Sequence, residues 1–224
     1  MKKIMLLTLI LVLSTLLLAD SVAMLSASKG KVELERARKS VKFKNGELLM
    51  NRDVLRTGPE SFAAYKYVDA SSMIKMFSNS VVTINASQEG TSLSKRVNVN
   101  KGSVLTQVKK GTGAFTVQTP TTVASVKGTE FLTKVSDEGL STFIVTDGEV
   151  EVRVLATDEV QSVPKGSTAT VNQDGVVEVR ESTYEDTSEI EKAELESSRV
   201  KEINNIRIPM LDSNGKLKYI DITY

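Results

Sequence analysis

Ser125 and Lys127 are the nearest this sequence comes to a nucleophile beside its base. Ser–Lys pairing is a known variant of the Ser–His–Asp arrangement. Two positions apart on a strand, both side chains would project from one face. Paired carboxylates such as Asp147 and Glu149 flank Gly148, which marks a turn, so they read as a turn residue and a solvated strand face. The wider inventory points away from chemistry. The chain has no histidine and no cysteine, so the usual zinc and transition-metal ligand sets cannot be built. The commonest general base is missing, and so are Ser–His and Cys–His nucleophile pairs. The expectation is a protein without catalytic residues, cofactor or metal.

Aromatic residues are few: no Trp, with 5 Tyr and 6 Phe. Tyr65, Tyr67 and Tyr184 are the plausible stacking platforms for a sugar, and alternation puts Tyr65 and Tyr67 on one face, either outward or towards the core.

The N-terminus bears on the compartment. Lys2 and Lys3 precede an apolar run from Ile4 to Leu18, then Ala19 and the first acid, Asp20. This is the layout of a secretory signal peptide, and the run is shorter than the roughly 20 residues a membrane-spanning helix needs. The favoured cut follows Ala19; a cut after Ala23, with Ser21 at −3, also fits, and retention as an anchor is the alternative. Without cysteine, a lipid-modified cleavage site is excluded. On this reading the protein is periplasmic, secreted or at the cell surface, with no membrane span after signal removal. The full chain balances 29 basic against 28 acidic residues, and losing Lys2 and Lys3 keeps it near neutral. Such a balance offers no electrostatic reason to hold nucleic acid or an anionic membrane.

Between Val22 and Val179 the chain alternates with period 2, as in Glu149–Val154, where valines share one face and charges the other. A turn residue followed by Gly, any residue, and an apolar or β-branched residue recurs at Gly30, Gly46, Gly102, Gly148, Gly166 and Gly175. Each copy reads as a tight turn launching a strand. Their irregular spacing argues against a strict solenoid; a short β-helix and a sandwich-like coil of strands both tolerate it. From about Tyr184 acids come early and bases late, matching a helix dipole. Ser188-x-x-Glu191 offers a capping box, with Ser182 and Thr183 as earlier starts. Ile190, Ala193, Val200 and Ile203 form a thin apolar stripe, which predicts weak docking. Asn205 to Leu211 and Leu217 to Thr223 flank Asp212-Ser213-Asn214-Gly215 as a β-hairpin. The expected organisation is a signal peptide over 1–19, an all-β domain over 20–181 and a helix-plus-hairpin tail over 182–224.

Laid out in order, these residues resemble the FecR domain family from about Lys29 to Val171. The segment from Gly46 through Asp53-Val54-Leu55-Arg56-Thr57-Gly58 is similar to the family's opening, with Arg52 where Gly is common. Ser61 to Tyr67 and Asp69 to Met76 resemble the next strands, with Ala70 replacing Gly. The most specific stretch runs from Phe115-Thr116-Val117-Gln118-Thr119-Pro120 to Ala124-Ser125-Val126-Lys127-Gly128-Thr129-Glu130-Phe131, followed by Asp147-Gly148-Glu149-Val150. The resemblance implies structural roles for Asp53, Thr57, Gly58, Pro120, Val126, Lys127, Gly128, Thr129, Phe131 and Gly148. Pro120 would mark an edge or a crossing between strands, Gly128 a sharp bend held by Thr129, and Val126 and Phe131 the core on either side. The family commonly shows Arg or Lys at the position of Lys127, and Arg cannot act as a base, which weakens the Ser125–Lys127 dyad.

The family's name-giving members are membrane-spanning regulators that relay a signal to a sigma factor from a cytoplasmic N-terminal segment. A signal peptide at residues 1–19 leaves no place for that segment, so the anti-sigma role is not expected here. The functional expectation is an exported, non-catalytic envelope scaffold or interaction module whose partner is an unidentified envelope protein. The alternatives are a wall- or polysaccharide-binding domain and an accessory envelope sensor. Oligomeric state is left open by the sequence.

Overall fold

The computed structural model describes residues 21–89, 92–200, 205–211 and 217–223. The segment 1–19, the cut after Ala19 and the turn Asp212-Ser213-Asn214-Gly215 lie outside the described residues.

The period-2 alternation folds as expected, into two face-to-face sheets. The front sheet holds, in spatial order, β4 (Leu48–Met50), β1 (Ser21–Lys29), β6 (Phe62–Tyr67), β7 (Ser72–Met76), the second half of β9 (Ser92–Val108), β12 (Glu130–Val135), β13 (Ser141–Asp147), β16 (Ser167–Val171) and β17 (Val177–Glu181). The back sheet holds β3 (Lys39–Val41), β2 (Val32–Arg36), β5 (Val54–Thr57), β8 (Val81–Glu89), the first half of β9, β10 (Phe115–Gln118), β11 (Thr122–Val126), β14 (Glu149–Val154) and β15 (Val160–Pro164). Neighbours are antiparallel except β9 with β10. The chain therefore winds as a sandwich-like coil, usually laying two strands in one sheet before crossing to the other. The aliphatic and aromatic residues that point between the sheets, among them Leu55, Tyr65, Val97, Phe131, Phe143 and Val152, form one continuous core.

Seven of the crossings between sheets are sharp corners with one residue in the left-handed region: Gly30, Glu60, Asn79, Gly102, Gly128, Gly148 and Gly166. The corners stack on one another. A Cβ on Gly102 would fall 2.5 Å from Ser80 Cα, and φ there is 91°, so only glycine fits both the turn and the space. Ser80 Oγ in turn accepts from Ser103 N–H (3.0 Å) and donates to Ser103 O (3.1 Å). Lys101-Gly102-Ser103 thus does not start a new strand. It bends one long strand, β9, from the back sheet into the front sheet.

Helix α1 (Tyr184–Ser198) follows β17 directly. Its cap is Thr183, whose hydroxyl accepts from Asp186 N–H while Asp186 answers to the Thr183 N–H. Of the candidate starts Ser182, Thr183 and Ser188–Glu191, the helix uses Thr183. The helix crosses the outer face of the front sheet. Asp186 pairs with Arg180 on β17, Glu189 with Lys134 on β12 (2.6 Å), and Ser197 Oγ receives a hydrogen bond from Lys75 Nζ on β7 (3.2 Å). Ile190 and Ala193 are buried against Ala27, Phe62, Ala64, Leu105, Leu132 and Ile144, with Val200 packed alongside. The thin stripe thus docks onto a second apolar layer; Ile203 lies outside the described residues. β18 (Asn205–Leu211) and β19 (Leu217–Thr223) form the C-terminal hairpin, in the register Ile208↔Ile220.

Candidate functional site

The residues singled out from the sequence lie in three places. Asp53 is fully buried just before β5 and is gripped by Arg36, whose Nε and Nη2 donate to its two oxygens at 2.9 and 2.7 Å. Met50 N–H adds a third bond at 2.8 Å. The bond to Asp53, and then its charge, raise the Arg36 guanidinium above its ordinary value despite opposing burial. The pair ties β2 to the β4–β5 turn, and Arg36 is a partner that motif reading alone did not supply. Thr57 Oγ1 donates to Phe77 O and accepts from Ser80 N–H (2.9 Å), while Gly58 N–H reaches Lys31 O (2.9 Å). These residues stitch one column of corners.

Gly128 and Gly148 belong to the opposite column. A Cβ on Gly148 would lie 2.8 Å from Gly128 O, and Thr129 Oγ1 donates to Glu149 O at 3.1 Å. Val126 and Phe131 enter the core on the two sides of this corner. Pro120 stands in the β10–β11 hairpin turn, closed by Thr119 N–H to Thr122 O at 2.9 Å. It marks a turn within the back sheet, neither an edge strand nor a crossing.

Ser125 and Lys127 are both exposed and make no hydrogen bond to one another. Ser125 looks out from the back sheet between Thr116 and Glu151. Asp147 and Glu149 part company at the Gly148 corner: Asp147 faces Lys165 (3.5 Å), and Glu149 accepts from Ser162 Oγ. No carboxylate pair converges there. Tyr65 and Tyr67 are fully buried in the core, edge-on to each other at 5.8 Å, so they cannot serve as sugar-stacking platforms. Burial raises both phenols above their ordinary value.

Polar groups do converge on the outer face of the front sheet, beyond the part covered by α1. A groove of about 460 Å³ lies there. Its floor is a cross-strand row in direct register, Lys66↔Met73↔Gln107↔Glu130↔Asp147, spanning β6, β7, β9, β12 and β13. Lys109 and the Ala70–Ser72 turn form the rim. Gln107 Nε2 donates to Glu130 Oε2 (2.6 Å) and Thr146 Oγ1 to Glu130 Oε1 (3.0 Å), which fixes the carboxylate. Lysines stand at one end, carboxylates at the other, and a flexible thioether lies between. Such a surface can bind an extended, dipolar chain.

The least expected group is Lys95. It shares the inward parity of Val97 and Val99 on β9, and its side chain is wholly buried. Its ammonium donates to Asp69 Oδ2 (2.5 Å), Ser71 Oγ (2.7 Å) and Thr112 O (3.2 Å), using all three donors. Tyr67 presents its ring 6.0 Å away. Burial works against a charge on Asp69, but the bonds from Lys95 and Ser71 outweigh it and hold the carboxyl below its ordinary value. The cluster clamps the β6–β7 turn to the loop after β9.

No curated protein matches this chain. Two crystal structures of a candidate anti-sigma factor from Parabacteroides distasonis ATCC 8503 share its fold, each with a TM-score of 0.52 over 76% of this chain and 84% of theirs. Their identities are 16% and 17%, so the likeness is one of architecture. The family model described as FecR protein matches residues 53–151, the stretch from the Asp53 anchor through the stacked corners to β14. Residues 53–151 of the coiled β sandwich are thus similar to a FecR domain.

Proposed function

We propose that this chain is a non-catalytic interaction module of the bacterial envelope, exported by its N-terminal segment, which works by presenting the outer face of its front sheet to an envelope protein. The observation that supports this most is the division of labour among its polar residues. Asp53, Thr57 and Thr129 are taken up in corners and core, whereas the row from Lys66 to Asp147 lines a groove on the outer face of the front sheet. A row of charged and amide side chains around one methionine suits a polypeptide segment, which offers complementary amides and charges and an apolar side chain for the thioether to fit. A signalling role fits the kind of protein that shares the fold. A wall-polysaccharide role keeps only Tyr184, 85% exposed at the start of α1, since Tyr65 and Tyr67 are buried.

The test places a photo-crosslinking residue at Met73 and, as control, at Ser125 on the outer face of the back sheet, in intact cells of the native host. Removing everything after Glu181 is the wrong comparison, because it would bare the apolar layer that Ile190 and Ala193 cover. The proposal expects one envelope protein captured from Met73 but not from Ser125, with capture reduced by Lys109→Glu. Equal capture from both positions, or none from Met73, refutes it.

A further inference from the structure

A coil of strands has two ends, and these differ. At the first, the segment between β3 and β4 folds over: Phe43 packs against the core, and Leu25 exchanges backbone bonds with Gly46 and Glu47. At the second, Val160 on β15 is 50% exposed, and Val176 and Val179 on and beside β17 are 63% and 40% exposed. Among the described residues, β17 pairs with β16 alone.

Sheet edges are normally blunted against further pairing by shortness, charged side chains (lysine above all), proline or bulges. Three of the four edges here are. β3 is three residues long and begins with Lys39, β4 is three residues long, and β15 ends on Pro164. β17 is five residues, Val177-Glu178-Val179-Arg180-Glu181, with an unbroken register and no lysine, proline or bulge; its charges are of both signs, Glu178 and Glu181 against Arg180, so they can attract a second copy as well as repel one. Asn172 N–H donates to Val176 O and Ser182 N–H to Gly166 O. With the register Ala169↔Val179, residues 178 and 180 bond inward to β16. Val177, Val179 and Glu181 therefore direct their N–H and C=O to the open side.

We infer that β17 is the contact by which two copies of this chain pair, antiparallel and about a two-fold axis at Val179. The strand is complementary to itself in that register alone. Val179 meets Val179 of the second copy in a hydrogen-bonded pair, and Val177 meets Glu181. Glu178 faces Arg180 of the second copy, twice, in the closer non-hydrogen-bonded positions. Arg180 is held on that face by Asp186 (Nη2–Oδ1 3.2 Å). The result is one front sheet continuous through both molecules, with both α1 helices on the same face and Val179 covered. Such an isologous contact closes on itself and stops at two copies.

The full chain is tested, N-terminal segment included, so that any association through that segment is common to every variant. Sedimentation equilibrium over a concentration series reads the dimer. Glu178→Lys sets like charges opposite each other at two points and weakens it roughly tenfold. Val179→Pro removes only a donor on the open side, so it abolishes the dimer while far-UV circular dichroism stays unchanged; Glu178→Lys keeps the test decisive if the proline variant fails to fold. In a chain otherwise free of cysteine, Val179→Cys forms a disulfide-linked dimer on mild oxidation, and Lys127→Cys, at a distant corner, does not. A monomer at every concentration, as when another segment or protein covers the edge, overturns the inference. So does a dimer that Glu178→Lys leaves intact, or one that links no better through Val179→Cys than through Lys127→Cys.

Discussion

Lys95 Nζ lies 2.5 Å from Asp69 Oδ2, with the lysine side chain wholly buried and the aspartate side chain 34% exposed. The two halves of this pair are therefore unequal. Removing the carboxylate strands a cation in the core, whereas removing the lysine leaves an anion that water can reach. Asp69→Asn is expected to cost about 3 kcal/mol and Lys95→Met less, about 1–2 kcal/mol. Urea unfolding of both variants checks the order; equal costs, or the reverse order, would count against the clamp.

Stability should form a plateau between two pH limits. Asp69 and Asp186 are both held below the ordinary carboxyl value, Asp186 chiefly by its bond from Arg180, then by Thr183 against some burial. Their contribution is complete above the unfolded-state pKa near ~3.9 and drains away as pH falls through the lower folded values. Tyr65 and Tyr67 are raised by burial. Above about pH 10 unfolded tyrosines ionise while the folded ones stay neutral, so the unfolded state holds fewer protons and stability falls as pH rises. With no histidine to titrate between, melting temperature should be level from about pH 5 to 9. A step inside that range would contradict this account.

Gly46 and Gly102 separate backbone strain from crowding. Both have φ near 90°, but a Cβ on Gly46 meets nothing within 4 Å, while one on Gly102 runs into Ser80. Gly46→Ala should cost about 1 kcal/mol, the left-handed penalty alone. Gly102→Ala adds overpacking and should cost about 3 kcal/mol or more. Matched costs in chemical denaturation would show that the corners do not stack as tightly as described.

Thr106 and Thr133 face the core with hydroxyls that have no hydrogen-bond partner. Replacing each by isosteric valine removes an unpaired polar atom without changing shape. Thr133→Val is expected to stabilise by about 1 kcal/mol, read as a rise in melting temperature.

The α1 cap and its buried face can be weighed separately. Thr183→Ala loses the capping box, at about 1 kcal/mol. Ile190→Ala hollows the layer over Phe62 and Leu132 and should cost about 2–3 kcal/mol. A helix held only by its cap would show no effect of Ile190→Ala.

Much of this fold was legible because strands announce themselves by local alternation. The hairpin bounds at Asn205–Leu211 and Leu217–Thr223 were read directly from the residues. Local pattern cannot tell a turn from a corner, however. Gly102 carries the same local signal as Gly175, yet one bends a strand between sheets and the other closes a hairpin within one. That choice depends on Ser80, 22 positions earlier in the chain, which no short window contains. Alternation also paired Tyr65 with Tyr67 on one face without saying which face; the cross-strand neighbours, Leu25 and Ile74 for Tyr65 and Ala23 for Tyr67, decide it. Lys95 was missed because a lysine is read as solvated. Its parity with Val97 and Val99 was the available signal, and it gains meaning only with Asp69 in reach. The groove was invisible for a related reason: its floor takes one residue from each of five strands, and sequence distance hides them from one another.

β9 gives the molecule a spine. Its first half is a rung of the back sheet, its second half a rung of the front sheet, and the strands β1 to β8 are joined through it to the strands β10 to β17. The layers cannot slide past each other without shearing a covalent chain at Gly102, and neither half of the coil can melt without leaving the other an open wound along that seam. A tug on the helix-bearing face is therefore felt at once on the opposite face, which makes the sandwich a stiff lever and a poor hinge.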